Sequence, residues 1–316
     1  MATPVTVYRW DDVGAPQIVD GKPSEYMNVL KKCLVEGYGT KAGLGWSVVE
    51  EVASPPYLAV KNDINVGSGG VAILSASNDA AGQSTKVYGV QDYIDQNTQY
   101  RSSPFSGFDR NSTGIYMINK WILIGTGRAF YFFVYSEYTM GSNATGARSV
   151  ISFFMGDFDS LYPNDPATFT HIAGAIDSTS NQWNYSLNNK ISESNLSSIS
   201  RIHPIDGTEQ PLTLSLVSLF GTSAHVNGAY NNQPNITILS PCYLMMGNGS
   251  INSSASYQNN IKPYVRGILP GLNIANSAGY RSDAQPVIKI LNNANHYLIP
   301  STQSYTGCAW INLEEW

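Results

Sequence analysis

The chain has 316 residues, of which 42% are hydrophobic and only 13% charged, and it carries a net charge of −5. A charged fraction about half the roughly 25% usual in soluble proteins leaves the polar surface to Asn, Ser, Thr, Gln and Tyr, which suits a particle-bound or extracellular protein packed against neighbours. The acidic balance and scattered basic residues exclude the footprint of a nucleic-acid binder, and no run of about 18 apolar residues reads as a membrane span.

The N-terminal "MATPVTVYRWDDVG" lacks the basic start and apolar stretch of a secretion signal. Within it, "VTVYRW" alternates and is rich in β-formers, which predicts a strand at about 5–10. A helix follows over "SEYMNVLKKCLVEGYG". Ser24 is its expected N-cap, and Glu25 suits the positive end of the dipole. Tyr26, Met27, Leu30, Cys33 and Leu34 make one apolar stripe, with Lys31 and Lys32 on the solvated face. Gly37 is placed to close the helix with a positive φ. Gly39 and Gly43 then make a tight turn, and Trp46 opens the extended "GWSVVEEV".

Beyond this point the sequence reads as β. "YLAVKND", "GGVAILSASND" and "TKVYGVQDYI" are short strands separated by turn residues. "GIYMINKWILIG" and "RAFYFFVYSEY" form a hairpin through Gly125-Thr126-Gly127, with "ARSVISFFMGDFDSL" as the next antiparallel neighbour. Residues 174–200 and 221–260 are Asn/Ser-rich excursions, the second broken by "NITILSPCYLMM", expected as a strand pair or strand–turn–strand. "YVRGILPGLNIA", "PVIKILNN", "HYLIPS" and "GCAWINLEEW" supply further short strands. The expected fold is mainly β: an antiparallel sandwich or partly closed barrel with one N-terminal helix packed on it. One scaffold domain over 1–316 with long insertions is expected, the alternative being two domains, 1–173 and 174–316.

Four constellations raise a chemical question. "CLVEGYGTKAGLGW" is glycine-rich and holds Lys41, but a phosphate loop needs Gly-Lys-Ser/Thr, and Ala42 follows Lys41. Its glycines also follow a helix instead of opening one. "GTSAHV" brings Ser223 near His225, yet a hydrolase elbow requires a second glycine where His225 stands. "GDFDSLYPNDP" carries Asp157, Asp159 and Asp165, weak candidates for Ca²⁺. Leu161 and Tyr162 occupy positions where an EF-type loop needs a ligand and a glycine, so Asp side chains capping a local turn are the simpler reading. Asp157 and Asp159 are also where the acid–base pair of a glycan hydrolase would be sought. The dispersed histidines and Cys33, Cys242 and Cys308 lack metal-binding spacing, so buried free thiols are expected. Neither cofactor nor metal is implied, and no catalytic set is assembled.

Four blocks taken together, "VYRWDDVGAPQI", "LKKCLVEGYGTKAGLGW", "FFMGDFDSLYPNDP" and "VRGILPGLNIA" with the terminal "NLEEW", resemble in order a family of virion structural proteins of tailed bacteriophages and prophages. The family pattern runs VYRSTDxGAP, LVNGYGxKxAAGW, GFGDxxSLKPGD and RGRLPGLLAP. Asp159 and Asn164 depart from it, and residues 174–260 have no counterpart in the pattern. The resemblance implies a tail, neck or baseplate subunit, assembled in the host bacterial cytoplasm and located in the virion. Copies of itself and other phage structural proteins would be its partners. It implies no catalytic residue. Alternative expectations are a capsid decoration protein or a receptor- or carbohydrate-binding module contacting a host surface glycan.

Overall fold

A computed structural model describes residues 2–108, 119–135, 151–173, 187, 201–206, 211–220, 237–246, 265–276, 285–299 and 308–316. In chain order, β1 (Thr6–Arg9) precedes α1 (Pro23–Lys31), which runs on into a π turn, Lys32–Glu36. The next strands are β2 (Ser47–Val52), β3 (Tyr57–Lys61), β4 (Val71–Ser75), β5 (Thr85–Asp95), β6 (Thr98–Ser102) and β7 (Ser106–Phe108). The middle of the chain forms β8 (Lys120–Gly125), β9 (Ala129–Tyr135), β10 (Ile151–Asp157), β11 (Asp159–Ser160) and β12 (Phe169–Ala173). The last part forms β13 (Arg201–Ile202), β14 (Leu212–Val217), β15 (Leu239–Met246), β16 (Val265–Ala275), β17 (Ile288–Leu291), β18 (Ala294–Leu298) and β19 (Ala309–Asn312).

These strands build three antiparallel sheets among the described residues, so the protein is mainly β, with a short N-terminal helix. The central sheet is five-stranded, in the order β1-β8-β9-β10-β12. Side chains alternate across a strand, and here both faces are covered. Ile122, Ile124, Tyr131, Phe133 and Phe154 pack with Leu244, Ile274, Tyr297 and Trp310 of the eight-stranded sheet. Leu123, Phe130, Phe132, Phe153 and Met155 pack with α1 and with Leu58, Val60, Ala72 and Leu74 of the six-stranded sheet. Burial on both faces is why "AFYFFVY" of β9 is an unbroken apolar run and not an alternating one. Each Å² of apolar surface so removed from water stabilises the fold by about 25 cal/mol. The first core draws on residues before and after 173 alike.

The expected hairpin through Gly125–Gly127 and its neighbour β10 are present in register, Ile124 opposite Tyr131 and Phe153 opposite Phe132. "ILSPCYLMM" contributes one strand, β15, where a strand pair or strand–turn–strand was expected. Irregular register at Pro241/Tyr243 and Leu244/Met245 lets β15 follow β16 without a turn. Residues 174–200 lie outside the described residues except Leu187, as do 221–236 and 247–260 of the second excursion.

The helix departs from expectation at both ends. Lys22 occupies the N-cap, and Pro23 takes the first helical position, where its missing N–H costs nothing. Ser24 is therefore inside the first turn and is not the cap. Its N–H and hydroxyl donate to the carboxylate of Asp79 at 2.9 and 2.7 Å. Glu25 caps instead, accepting N–H bonds from Asp20, Gly21 and Lys22. At the far end the Gly37 N–H donates to the Lys32 carbonyl at 2.7 Å, a π closure. Gly37 has φ 79°, as expected, with ψ 172°, which is outside the left-handed helical well. A Cβ there would collide with the Lys41 carbonyl. The tight turn holds Gly39 at φ 56°, and Gly43 lies against the Val35 carbonyl, where a Cβ has no room. Leu44 and Trp46 N–H groups then donate to the carbonyls of Cys33 and Leu34, both at 3.1 Å, satisfying groups a helix end leaves open. Trp46 is buried, donates from Nε1 to the Thr126 carbonyl, and delivers the chain to β2. All five residues of the expected apolar stripe are buried.

Candidate functional site

The Asp-rich turn after β10 is the best-formed polar site among the described residues. Gly156, the last but one residue of β10, has φ 131°, and a side chain there would strike Ala129. Asp157 is 3% exposed. Its carboxylate accepts from Asn62 Nδ2, the Ser68 N–H and Thr168 Oγ1, each at 2.8 Å. Those bonds tie the loop between β3 and β4 to the end of β10. Gly67 lies close enough to Asn62 Nδ2 and Asp157 that a Cβ would crowd both.

Asp159 and Asp165 are drawn elsewhere. Asp159 pairs with Arg128 at 2.7 Å, at the turn between β8 and β9. Asp165 accepts both its contacts from Arg266 Nη2, at 2.7 and 2.6 Å, with side chains 1% and 0% exposed. Ser160 Oγ and the Ala167 N–H also donate to Asp165. Beside it β11 pairs with β16, Asp159 opposite Ile268 and Ser160 opposite Gly267. The Arg266 guanidinium also faces the Phe158 ring, while its Nε has no partner among the described residues. The three Asp are thus committed to separate partners, and no group of three His, Cys, Asp or Glu side chains converges among the described residues. As a Ca²⁺ site, Asp157, Asp159 and Asp165 are not brought together. The turn borders an open cleft of about 440 Å³, lined by Val66–Ser68, Arg128 and, from the turn itself, Asp157–Ser160, Tyr162, Asn164, Asp165 and Thr168.

A second polar knot joins β1 to the helix end. Lys41 Nζ donates to Asp12 Oδ2 at 2.6 Å and to the Val7 carbonyl at 2.7 Å, and Tyr38 Oη donates to the same Asp12 oxygen at 2.8 Å. Burial works against the charged form of Asp12, but the bonds from Lys41, the Arg9 N–H and Tyr38 outweigh it and lower its pKa. The lysine that raised the phosphate question is turned inward to hold the N-terminal strand.

Ser223 and His225 lie outside the described residues. A Ser–His contact does occur elsewhere: Ser106 Oγ and His171 Nε2 are 3.1 Å apart, and His171 Nδ1 is 3.2 Å from the Pro104 carbonyl. Burial lowers the His171 pKa to about 4, against the pull of that carbonyl. The ring is thus neutral at pH 7, donating from Nδ1 to Pro104 and accepting from Ser106. Both side chains are buried, and the imidazole leans on a carbonyl where a catalytic triad has a carboxylate. Sequence reasoning missed this pair because 65 residues separate its members. Arg266 was also missed, although an arginine inside an otherwise apolar strand signals a buried partner. Cys33, Cys242 and Cys308 are free and buried, and burial raises the pKa of Cys33 and Cys242.

No family model, curated protein or solved structure matches the chain.

Proposed function

We propose that this chain is a structural subunit of a tailed-phage virion, placed in the tail, neck or baseplate and working through protein–protein interfaces. The observation that carries the reading is where the four resembling blocks go. The first block meets the second through Asp12, Lys41 and Tyr38. The third meets the fourth through Asp165–Arg266 and the β11–β16 pairing. The terminal block closes on the fourth and on the chain start: Trp316 lies against Gly271 and exchanges backbone bonds with Thr3 at 2.8 and 3.0 Å. Residues set apart by the resemblance therefore serve as joints of a scaffold and not as a reactive constellation. A chain poor in charge, which leaves its polar surface to uncharged side chains such as Asn and Ser, fits burial against neighbouring subunits. On this reading the role is non-enzymatic, and the subunit acts in several copies.

The test is quantitative mass spectrometry of gradient-purified particles. The expected result is this chain at a fixed ratio to the major capsid and tail proteins. Its presence in lysate but not in purified particles would overturn the reading.

A further inference from the structure

We infer that the cleft beside the Asp-rich turn binds an uncharged saccharide residue, whether or not the chain is part of a virion. Its volume of about 440 Å³ lies within the range of small-molecule sites. The floor is fixed, because Asp157 and Asp165 spend their oxygens on protein donors. The free hydrogen-bonding capacity lies on the walls. Arg128 uses only Nη2, toward Asp159 Oδ1 and the Phe158 carbonyl, so Nε and Nη1 are unpaired among the described residues. Asp159 Oδ2, the Tyr162 hydroxyl and the Asn164 amide make no side-chain hydrogen bond among those residues, although the hydroxyl interacts electrostatically with Arg266, and all three residues line the cleft. Tyr162 is 36% exposed, and Asn164 is held at φ 57°.

This set mixes donors and acceptors, next to an aromatic ring. Each sugar hydroxyl both donates and accepts, while the C–H face of the ring is apolar. Asp159 Oδ2 can accept from a sugar hydroxyl, and Arg128 Nε and Nη1 can each donate to a separate oxygen. The charge balance excludes an anion. Arg128 offsets Asp159 and Arg266 offsets Asp165. Asp157 meets hydrogen-bond donors but no cation among the described residues, so a phosphate or uronate would face net negative charge.

The experiment uses the full chain on an array of neutral, amino and anionic oligosaccharides, followed by calorimetric titration with the best neutral ligand. Tyr162→Ala and Asn164→Gly are the test variants: neither side chain holds the fold, and glycine keeps the positive φ. Ile290→Ala, on an exposed part of β17, is the control. The expected result is binding of neutral saccharides, about tenfold weaker in Tyr162→Ala, weakened in Asn164→Gly and unchanged in the control. No binding to any neutral saccharide, preference for anionic or amino ones, or unchanged binding in both variants would overturn the inference. Absence of the chain from particles would not bear on it.

Discussion

The two polar knots contain ion pairs of the same length, 2.6 Å, in different surroundings. In the N-terminal knot the Lys41 and Asp12 side chains are 32% and 21% exposed, whereas Arg266 and Asp165 are 0% and 1% exposed. Distance therefore says little about what each pair does for stability. An accessible pair is screened and competes with water, so it contributes little. A buried pair has already lost its hydration, and removing one partner strands the other charge in a medium that cannot solvate it. The N-terminal knot relies on backbone geometry around Gly37, and the second on satisfied charge.

Substitutions can sharpen this contrast. The largest effect is expected at Arg266: Arg266→Ala should cost about 3–5 kcal/mol in denaturant unfolding, because Asp165 is left buried and unpaired. The double variant Arg266→Met/Asp165→Leu should lose much less, and equal losses in single and double variants would show that packing, not charge, holds the joint. Next is His171, held neutral by burial. Its folded pKa of about 4 lies below the unfolded value of 6.5. The unfolded state therefore gains a proton first as pH falls, and stability should drop between pH 6.5 and 4 by on the order of 3 kcal/mol. Thermal melts across that range, flattened in His171→Asn, would check the sign. Gly37→Ala should cost about 1–3 kcal/mol, from the positive φ and the clash with the Lys41 carbonyl. Lys41→Met should cost least, about 1 kcal/mol or under, and less again in high salt. A Lys41 effect as large as that of Arg266 would break the comparison.

The same contrast explains what could be read from the sequence. The central hairpin, the third strand beside it and the helix stripe were legible because local patterns specify them: an apolar β-rich run, a Gly-containing turn, a 3–4 spacing. The positive φ of Gly37 was legible for the same reason, but its π closure and extended ψ were not. Ser24 was misplaced because Pro23 competes for the helix start and the acceptor for its hydroxyl, Asp79, is 55 residues away. The three-layer arrangement was only hinted at by "AFYFFVY", since an unbroken apolar run does not say which sheets cover its two faces. In the Asp-rich turn the carboxylates were visible, but Arg128 and Arg266, which decide their state, arrive from 31 and 101 residues away. Charge pairing across such distances leaves no spacing to read.

The central claim is that these joints brace a scaffold that serves particle assembly. A cryo-EM reconstruction of virus particles purified from cells that carry the gene for this chain tests the proposal most directly. The account predicts density matching the doubly covered central sheet, with its α1 and eight-stranded flanks, repeated at symmetry-related positions in the tail, neck or baseplate. A complete map in which every density belongs to other chains would contradict it.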